Sequence, residues 1–311
     1  MCCLFGILDY KNRFNTKQKN KIISLLSVVC EARGTDATGI AYNHNGHLSI
    51  YKRPLAAHKM RFNIPDVNLI MGHTRMTTQG NEKYNFNNHP FYCKVGNTEF
   101  ALAHNGVLYN DITLRKTEKL PETIIETDSY IAVQLIEKQK RLDFASLGYM
   151  AERLSGSFTI TVVDNDNNLY FVKGDNPMCI YHLQEAGIYI YASTEEILKK
   201  ALWRIPYRFG KPKKIELEMG EILKIDRHGR MEKSEFDTSL LSAISYYSHF
   251  PYRHVSISAE HKTKSPCQQE YIRQLKSYAS FYGYTDDMVD MLLDEGYTTD
   301  DIEEMLYCGV Y

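Results

Sequence analysis

The sequence predicts an α+β protein in which antiparallel sheets are covered by helices, followed by a small C-terminal helical bundle. Three observations predict it. Short apolar runs bounded by turn residues recur through the first 240 residues. A few well-separated segments carry helical periodicity instead of alternating regularly with the strands. From about Ser239 the composition changes to a linker-like stretch and then to short acidic helices.

The elements follow in order. Cys2 to Leu8 is a continuous apolar run and reads as a buried strand. Lys17 to Glu31 is helical, with Ile22, Ile23, Leu25, Leu26, Val28 and Val29 on a broad apolar face. Strands are expected at Gly39 to Tyr42, His47 to Tyr51, Asn68 to Thr74 and Phe100 to His104, with His44-Asn45-Gly46 as a hairpin signal between the first two. Helices are expected at Asp128 to Lys138 and Phe144 to Leu154. Ser157 to Val163 and Leu169 to Lys173 alternate well and flank the polar turn Asp164 to Asn168. Ile188 to Ala192 adds a strand, Glu195 to Trp203 a helix, and Glu221 to Asp226 closes the domain. The expected division is a domain over 2–238, a linker over 239–267 and a three-helix appendage over 268–311.

That appendage contains a degenerate repeat, Gly283 to Leu292 and Gly296 to Leu306. Each copy has a glycine break, a threonine cap, acids in the first turn and an apolar face. Tyr284 to Tyr311 holds nine Asp/Glu and no Lys or Arg, while the whole chain carries a net charge of −1. The segment reads either as a solvated acidic face or as a surface that docks on a basic partner. A near-neutral total gives no argument for nucleic acid or an anionic membrane as partner. No run approaches the roughly 18 apolar residues of a membrane span. Leu4 to Leu8 is too short for the apolar core of a secretory leader. The seven cysteines lack framework spacing, which fits a reducing, cytoplasmic setting. Cysteine and histidine spacings also match no metal-site pattern, and no Gly-rich phosphate loop is present.

The residues with chemical potential begin at Cys2. Methionine is normally removed ahead of a small residue, and removal of Met1 would leave a thiol and a free α-amine on one residue. An amine with a pKa of about 7.7–8.0 is partly neutral near pH 7 and can take the thiol proton. A buried cysteine in a first strand is the plainer reading. Arg75 lies in Met71-Gly72-His73-Thr74-Arg75-Met76-Thr77-Thr78-Gln79-Gly80, Asn105 and Gly106 in Ala103-His104-Asn105-Gly106, and Asp128 in Ile125-Glu126-Thr127-Asp128-Ser129. Taken alone, Arg75 suits a surface ion pair, Asp128 or Thr127 a helix N-cap, and Asn105-Gly106 a hairpin turn. His73 and His104, each at the edge of an apolar stretch, read as hydrogen-bonded structural histidines.

These segments, with Arg33-Gly34-Thr35-Asp36 upstream and Asn88-His89-Pro90-Phe91 between, resemble in order and interval the class II glutamine amidotransferases. The resemblance runs from about Cys2 to Leu223. It implies a four-layer αββα sandwich of the N-terminal-nucleophile hydrolase type and a glutaminase reaction. Cys2 would be the nucleophile, with Asn105 and the Gly106 N–H as oxyanion donors. Arg75 would bind the glutamine carboxylate and Asp128 its ammonium. Thr78 and Gln79 would line the pocket, and Arg33 would favour the thiolate. No metal or organic cofactor is implied. Two positions depart from the pattern: Cys3 stands where the family usually has glycine, and Met76 where sugar-synthase relatives carry a tryptophan that gates ammonia transfer. The implied partners are glutamine as substrate and a separate synthase, or other protein, engaged through the acidic appendage. A stand-alone hydrolase of a γ-glutamyl or related amide, and a non-catalytic regulatory protein on the same scaffold, are the alternatives. The appendage is also loosely similar to ubiquitin-associated-type bundles, which carries no function.

Overall fold

Period-two alternation in the first strand sets the layering. The computed structural model describes residues 2–241 and, beyond them, residues 272, 275, 276, 279, 280, 284–294 and 302. Strand β1 (Cys3–Asp9) is buried at every position. Cys3, Phe5 and Ile7 enter one core, and Leu4 and Leu8 enter another. A strand buried on both faces must be covered on both, and this one is.

The first sheet has seven strands, including β2 (Ala37–His44), β3 (His47–Arg53) and β4 (Leu69–Arg75), in the order β11-β9-β10-β1-β4-β2-β3. Its remaining members are β9 (Cys179–Leu183), β10 (Ile188–Ala192) and β11 (Lys213–Ile215). The second sheet has six strands in the order β13-β12-β8-β7-β6-β5. Those strands are β5 (Phe91–Val95), β6 (Thr98–Leu108), β7 (Gly156–Asp164), β8 (Leu169–Lys173), β12 (Glu221–Ile225) and β13 (Met231–Glu235). Neighbouring strands in both sheets run antiparallel.

Helix α1 (Thr16–Cys30) opens with a capping box between Asn15 and Gln18 and packs Ile22, Ile23, Leu26 and Val29 on the first sheet, beside α5 (Glu195–Arg204). Leu25 and Val28, expected on the same face, are only half-buried. Lys19, on α1, is buried instead. Its ammonium reaches Asn12 Oδ1 (2.7 Å), Asn68 Oδ1 (3.1 Å) and Asp66 Oδ1 (3.2 Å), which satisfies all three donors. On the second sheet, α3 (Tyr130–Lys138) and α4 (Phe144–Ala151) bury Ile131, Leu135, Leu147 and Met150 against Leu102, Ile160 and Val172. A third core, holding Leu4, Met71, Ala101, Ala103, Phe171 and Leu223, lies between the sheets. The architecture is a mixed α/β sandwich with helices on its outer faces.

The sequence reading is right about one turn and wrong about another. The β2–β3 turn is Asn45-Gly46, both at positive φ (55° and 80°), closing His44 opposite His47. Asn105-Gly106 is not a turn: β6 runs through it to Leu108 and pairs Gly106 with Phe158 of β7. Phe236 and Leu241 are buried in the core under α4. Among the described residues no helix is long and apolar enough to cross a membrane.

Residues 251–311 form a second compact unit. Its described helix, Asp286–Asp294, is capped by Thr285, whose Oγ1 accepts from Met288 N at 3.3 Å, and has Asp286 and Asp287 in its first turn as expected. Ile272, Leu275, Lys276 and Ala279, in the expected Gln268–Phe281 helix, are helical. Leu275, Ala279, Val289 and Ile302 form a small core. Most of the expected linker, and the second repeat apart from Ile302, lie outside the described residues.

Candidate functional site

Antiparallel register brings the start of the chain to the end of β4. Cys3 pairs with Thr74, so the next residues outward, Cys2 and Arg75, meet at one edge. By the period of two, Cys2 shares the inter-sheet face with Leu4, and Arg75 shares it with Met71 and His73. In the other sheet, Asn105 shares that face with Ala101 and Ala103. The end of the inter-sheet core is therefore polar where its middle is apolar. There it opens into a cleft of about 240 Å3, counting space open at its mouth. Cys2, Arg75, Thr78, Gln79, Gly106 and Asp128 all line it, as do Met76, His89, His104, Thr127 and Ser129.

The Cys2 thiol is buried and lies 3.5 Å from the Met76 carbonyl. Burial pushes it up, opposed by a backbone hydrogen bond at Met76 and by the Arg75 guanidinium, while Asp128 adds to the rise. Cys3 points the other way, into the core beneath α1, where it pairs with the Cys30 thiol. A side chain at the family's glycine position therefore leaves the cleft unaltered. Arg33, in the single 3-10 turn after α1, donates from Nε to the Cys2 carbonyl at 2.9 Å. Its charge acts on the thiols of Cys3 and Cys30, and the positive charges that lower the Cys2 thiol are the chain's α-ammonium first and then Arg75.

Arg75 is 3% exposed, which excludes the surface ion pair. Nη1 donates to Asn88 Oδ1 at 2.7 Å, and Nη2 to the carbonyls of Gln79 (2.5 Å) and Gly80 (3.1 Å). All three acceptors are neutral, so the guanidinium keeps its charge and two of its five donors for an anion. Asn88 is held in turn by Nδ2 donating to the Glu82 carbonyl at 2.7 Å, and Lys52 bonds the Asn88 and Pro90 carbonyls. Gln79 Nε2 donates to the Glu126 carbonyl at 3.1 Å, which ties its loop to the segment before α3. Thr78 beside it is exposed.

Asp128 is not a helix cap. The N-cap of α3 is Ser129, without a side-chain cap bond. Asp128 Oδ2 accepts from Leu108 N at 2.7 Å, and Oδ1 lies 3.2 Å from Ser129 Oγ. This leaves a buried carboxylate facing the cleft. Gly106 has φ +145°, and a Cβ there would lie 1.9 Å from the Ser157 carbonyl oxygen, so only glycine fits. Asn105 is fully buried, and among the described residues neither its Nδ2 nor its Oδ1 has a partner.

His73 Nε2 donates to the His104 carbonyl at 3.0 Å, and His104 Nδ1 lies 2.8 Å from Ser129 Oγ. Burial holds His73 down at about 3 and lowers His104 and His89 too. Neutral and weakly basic, His73 and His104 fit the structural reading. The His89 ring lies 4.3 Å from that of His73, tilted by 38°, and lacks a partner at either ring nitrogen among the described residues. Sequence reasoning gave His89, Asn88 and Ser129 no role. A signal existed for Asn88 and His89, because their segment was noted as part of the motif order.

Comparison with known proteins agrees with this geometry. Residues 73–200 match the family model described as a glutamine amidotransferase domain. The chain is similar to the glutamine–fructose-6-phosphate aminotransferase (isomerizing) of Caldanaerobacter subterraneus subsp. tengcongensis, 31% identical over 52% of this chain and 27% of that one. It is also similar to the amidophosphoribosyltransferase of Methanocaldococcus jannaschii, 30% identical over 72% of this chain and 47% of that one. The chain thus spans between about a quarter and about half the length of these curated relatives. In fold it is like the glutamine phosphoribosylpyrophosphate amidotransferase from B. subtilis, with a TM-score of 0.60 at 18% identity over 76% of this chain and 50% of that one. A structure described as the allosteric regulatory enzyme of purine biosynthesis gives 0.62 at 19% identity, over 77% and 50%. The chain carries a class II glutamine amidotransferase domain, matched over residues 73–200 and related to those of glutamine–fructose-6-phosphate aminotransferase and amidophosphoribosyltransferase.

Proposed function

We propose that this domain hydrolyses the side-chain amide of glutamine through a Cys2 thioester and delivers ammonia to a separate synthase. One observation carries the reading: residues as far apart in sequence as Cys2, Arg75, Gly106 and Asp128 line a single buried cleft. After loss of Met1, the Cys2 amine takes the thiol proton and Sγ attacks the amide carbon. Asn105 Nδ2 and the Gly106 N–H stabilise the oxyanion, an assignment supported by the unpartnered, buried amide of Asn105. The tetrahedral intermediate collapses with protonation of the leaving nitrogen, and ammonia departs. Water then attacks the thioester carbonyl, releasing glutamate and restoring the thiol. Arg75 grips the α-carboxylate with its two remaining donors, and Asp128 takes the α-ammonium. Thr78 and Gln79 close the cleft. Arg33 supports the site by holding the Cys2 carbonyl and favours the thiolate beside it.

The four-layer αββα arrangement is the reading that three stacked cores favour. Our domain division remains 2–238, 239–267 and 268–311. The acidic appendage is the docking module for the synthase, and the setting is cytoplasmic.

Intact-mass spectrometry with a diazo-ketone analogue of glutamine, which alkylates such nucleophiles, tests the chemistry. Loss of Met1 and one adduct on Cys2 are expected, with no adduct in Cys2→Ala and a normal one in Cys3→Ala. Equal loss of labelling in both variants would refute Cys2 as nucleophile.

A further inference from the structure

We propose that Thr127 is a substrate-binding residue whose hydroxyl accepts a hydrogen bond from the α-ammonium of the amino-acid substrate, alongside Asp128. The proposal rests on the glutaminase reading and adds to it a group that selects for the amine.

Thr127 lines the cleft, is 2% exposed, and among the described residues its Oγ1 is buried without a partner. Leaving a buried hydroxyl unpaired costs about 1–3 kcal/mol. A threonine at a helix start ordinarily avoids that cost by capping the helix. Here the cap position belongs to Ser129, and Thr127 contributes only its carbonyl, which accepts from Tyr130 N at 3.4 Å. The hydroxyl is thus kept out of the local backbone network and turned to the cleft.

Orphaned atoms concentrate at this place. Of the ten buried side-chain polar atoms without partners among the described residues, five belong to His89, Asn105 and Thr127. That clustering marks where a polar ligand completes the hydrogen bonding. Leu108 N–H already takes one acceptor site on Asp128 Oδ2, and Ser129 Oγ one on Oδ1, so the carboxylate keeps only part of its acceptor capacity for an ammonium. An ammonium presents three donors. The Thr127 oxygen, adjacent in the chain and on the same cleft wall, supplies a further acceptor.

The test compares Thr127→Val, which keeps the shape and removes the oxygen, with Thr127→Ser, which keeps the hydroxyl. Steady-state turnover of glutamine is measured, together with competitive inhibition by its deaminated analogue, which retains carboxylate and amide. Calorimetry of glutamine binding is run in the Cys2→Ala background. A site built to bond a polar group discriminates by about tenfold or more when the bond is lost. Thr127→Val is therefore expected to raise KM and the calorimetric Kd for glutamine about tenfold, with kcat within about threefold. The analogue's inhibition constant should be unchanged, and Thr127→Ser should restore glutamine binding. Equal weakening of both ligands, or no weakening of glutamine, overturns the role of Thr127 while leaving glutaminase activity standing. If the unmodified chain neither turns over glutamine nor its Cys2→Ala form binds it, the glutaminase reading fails and the proposal fails with it.

Discussion

Replacing His73 by glutamine should remove about 2 kcal/mol of acid sensitivity between pH 7 and pH 5. His73 sits on β4 between the sheets, one pleat before Arg75. Burial lowers its imidazole from 6.5 to about 3, opposed by the bond to the His104 carbonyl and aided by the charge of Arg75. The unfolded chain takes up a proton on this residue near pH 6.5, and the folded chain only near pH 3. Between those values the unfolded state binds more protons, so stability falls as pH falls. The contribution is fully present above pH 6.5 and is lost progressively toward pH 3. With both constants, the loss accumulated between pH 7 and pH 5 is about 2 kcal/mol for this histidine alone. His89 and His104 shift in the same direction and should add to it.

The assay is urea unfolding followed by circular dichroism at pH 7, 6 and 5, for the unmodified chain and His73→Gln. The glutamine amide can still donate to the His104 carbonyl, so the variant carries a pH-independent offset and a shallower pH slope. The slope, not the offset, is the readout. If both proteins lost the same stability to within about 0.5 kcal/mol, His73 would titrate normally in the folded state. Water would then reach this end of the inter-sheet core, and the burial of His73 described above would be wrong.

Two further outcomes follow from the same geometry. Gly106→Ala places a methyl carbon 1.9 Å from the Ser157 carbonyl at φ +145°. It should destabilise the chain by about 3 kcal/mol or more in urea unfolding, and a wild-type midpoint would mean the strand can relax there. Asn88→Asp turns the neutral acceptor 2.7 Å from Arg75 Nη1 into a carboxylate. Competing with the substrate's own carboxylate, it should raise KM for glutamine about tenfold, and an unchanged KM would remove Arg75 from carboxylate binding.

Strong periodicity made most inner strands and the larger helices legible, although β9, buried at all five positions, was missed. Both faces of β1 are buried, so its residues read as a continuous apolar run, and α1 announced itself through its apolar stripe. Two of the misses share a cause, which is that their stability comes from neighbours. β11 (Lys-Lys-Ile) and β13 (Met-Glu-Lys-Ser-Glu) are edge strands with exposed side chains, held by backbone pairing to β9 and β12. β5 does alternate buried and exposed residues, but five residues following a proline gave too short a window. Asn105-Gly106 carries the strongest short turn signal available. It was misread because the need for glycine comes from Ser157 across the ladder, fifty-one residues away.

The same distinction separates the parts of the site. Cys2, Arg75, Asn105 and Asp128 stood out in sequence through the order and spacing of their motifs, because taken alone each has an ordinary structural reading. Thr127, Asn88 and Ser129 did not, because polar residues near helix starts and turns are common and most of them cap or solvate. Their difference from ordinary caps lies in bonds that only the folded chain reveals: Ser129 takes the cap position without capping, Asp128 turns to Leu108, and Thr127 Oγ1 is left with nothing. The Thr127–Ser129 segment makes no side-chain capping bond to α3, and all three of its residues line the cleft. A local rule broken without local compensation is what a binding site predicts, and this one is broken beside the carboxylate that would hold the substrate's amine.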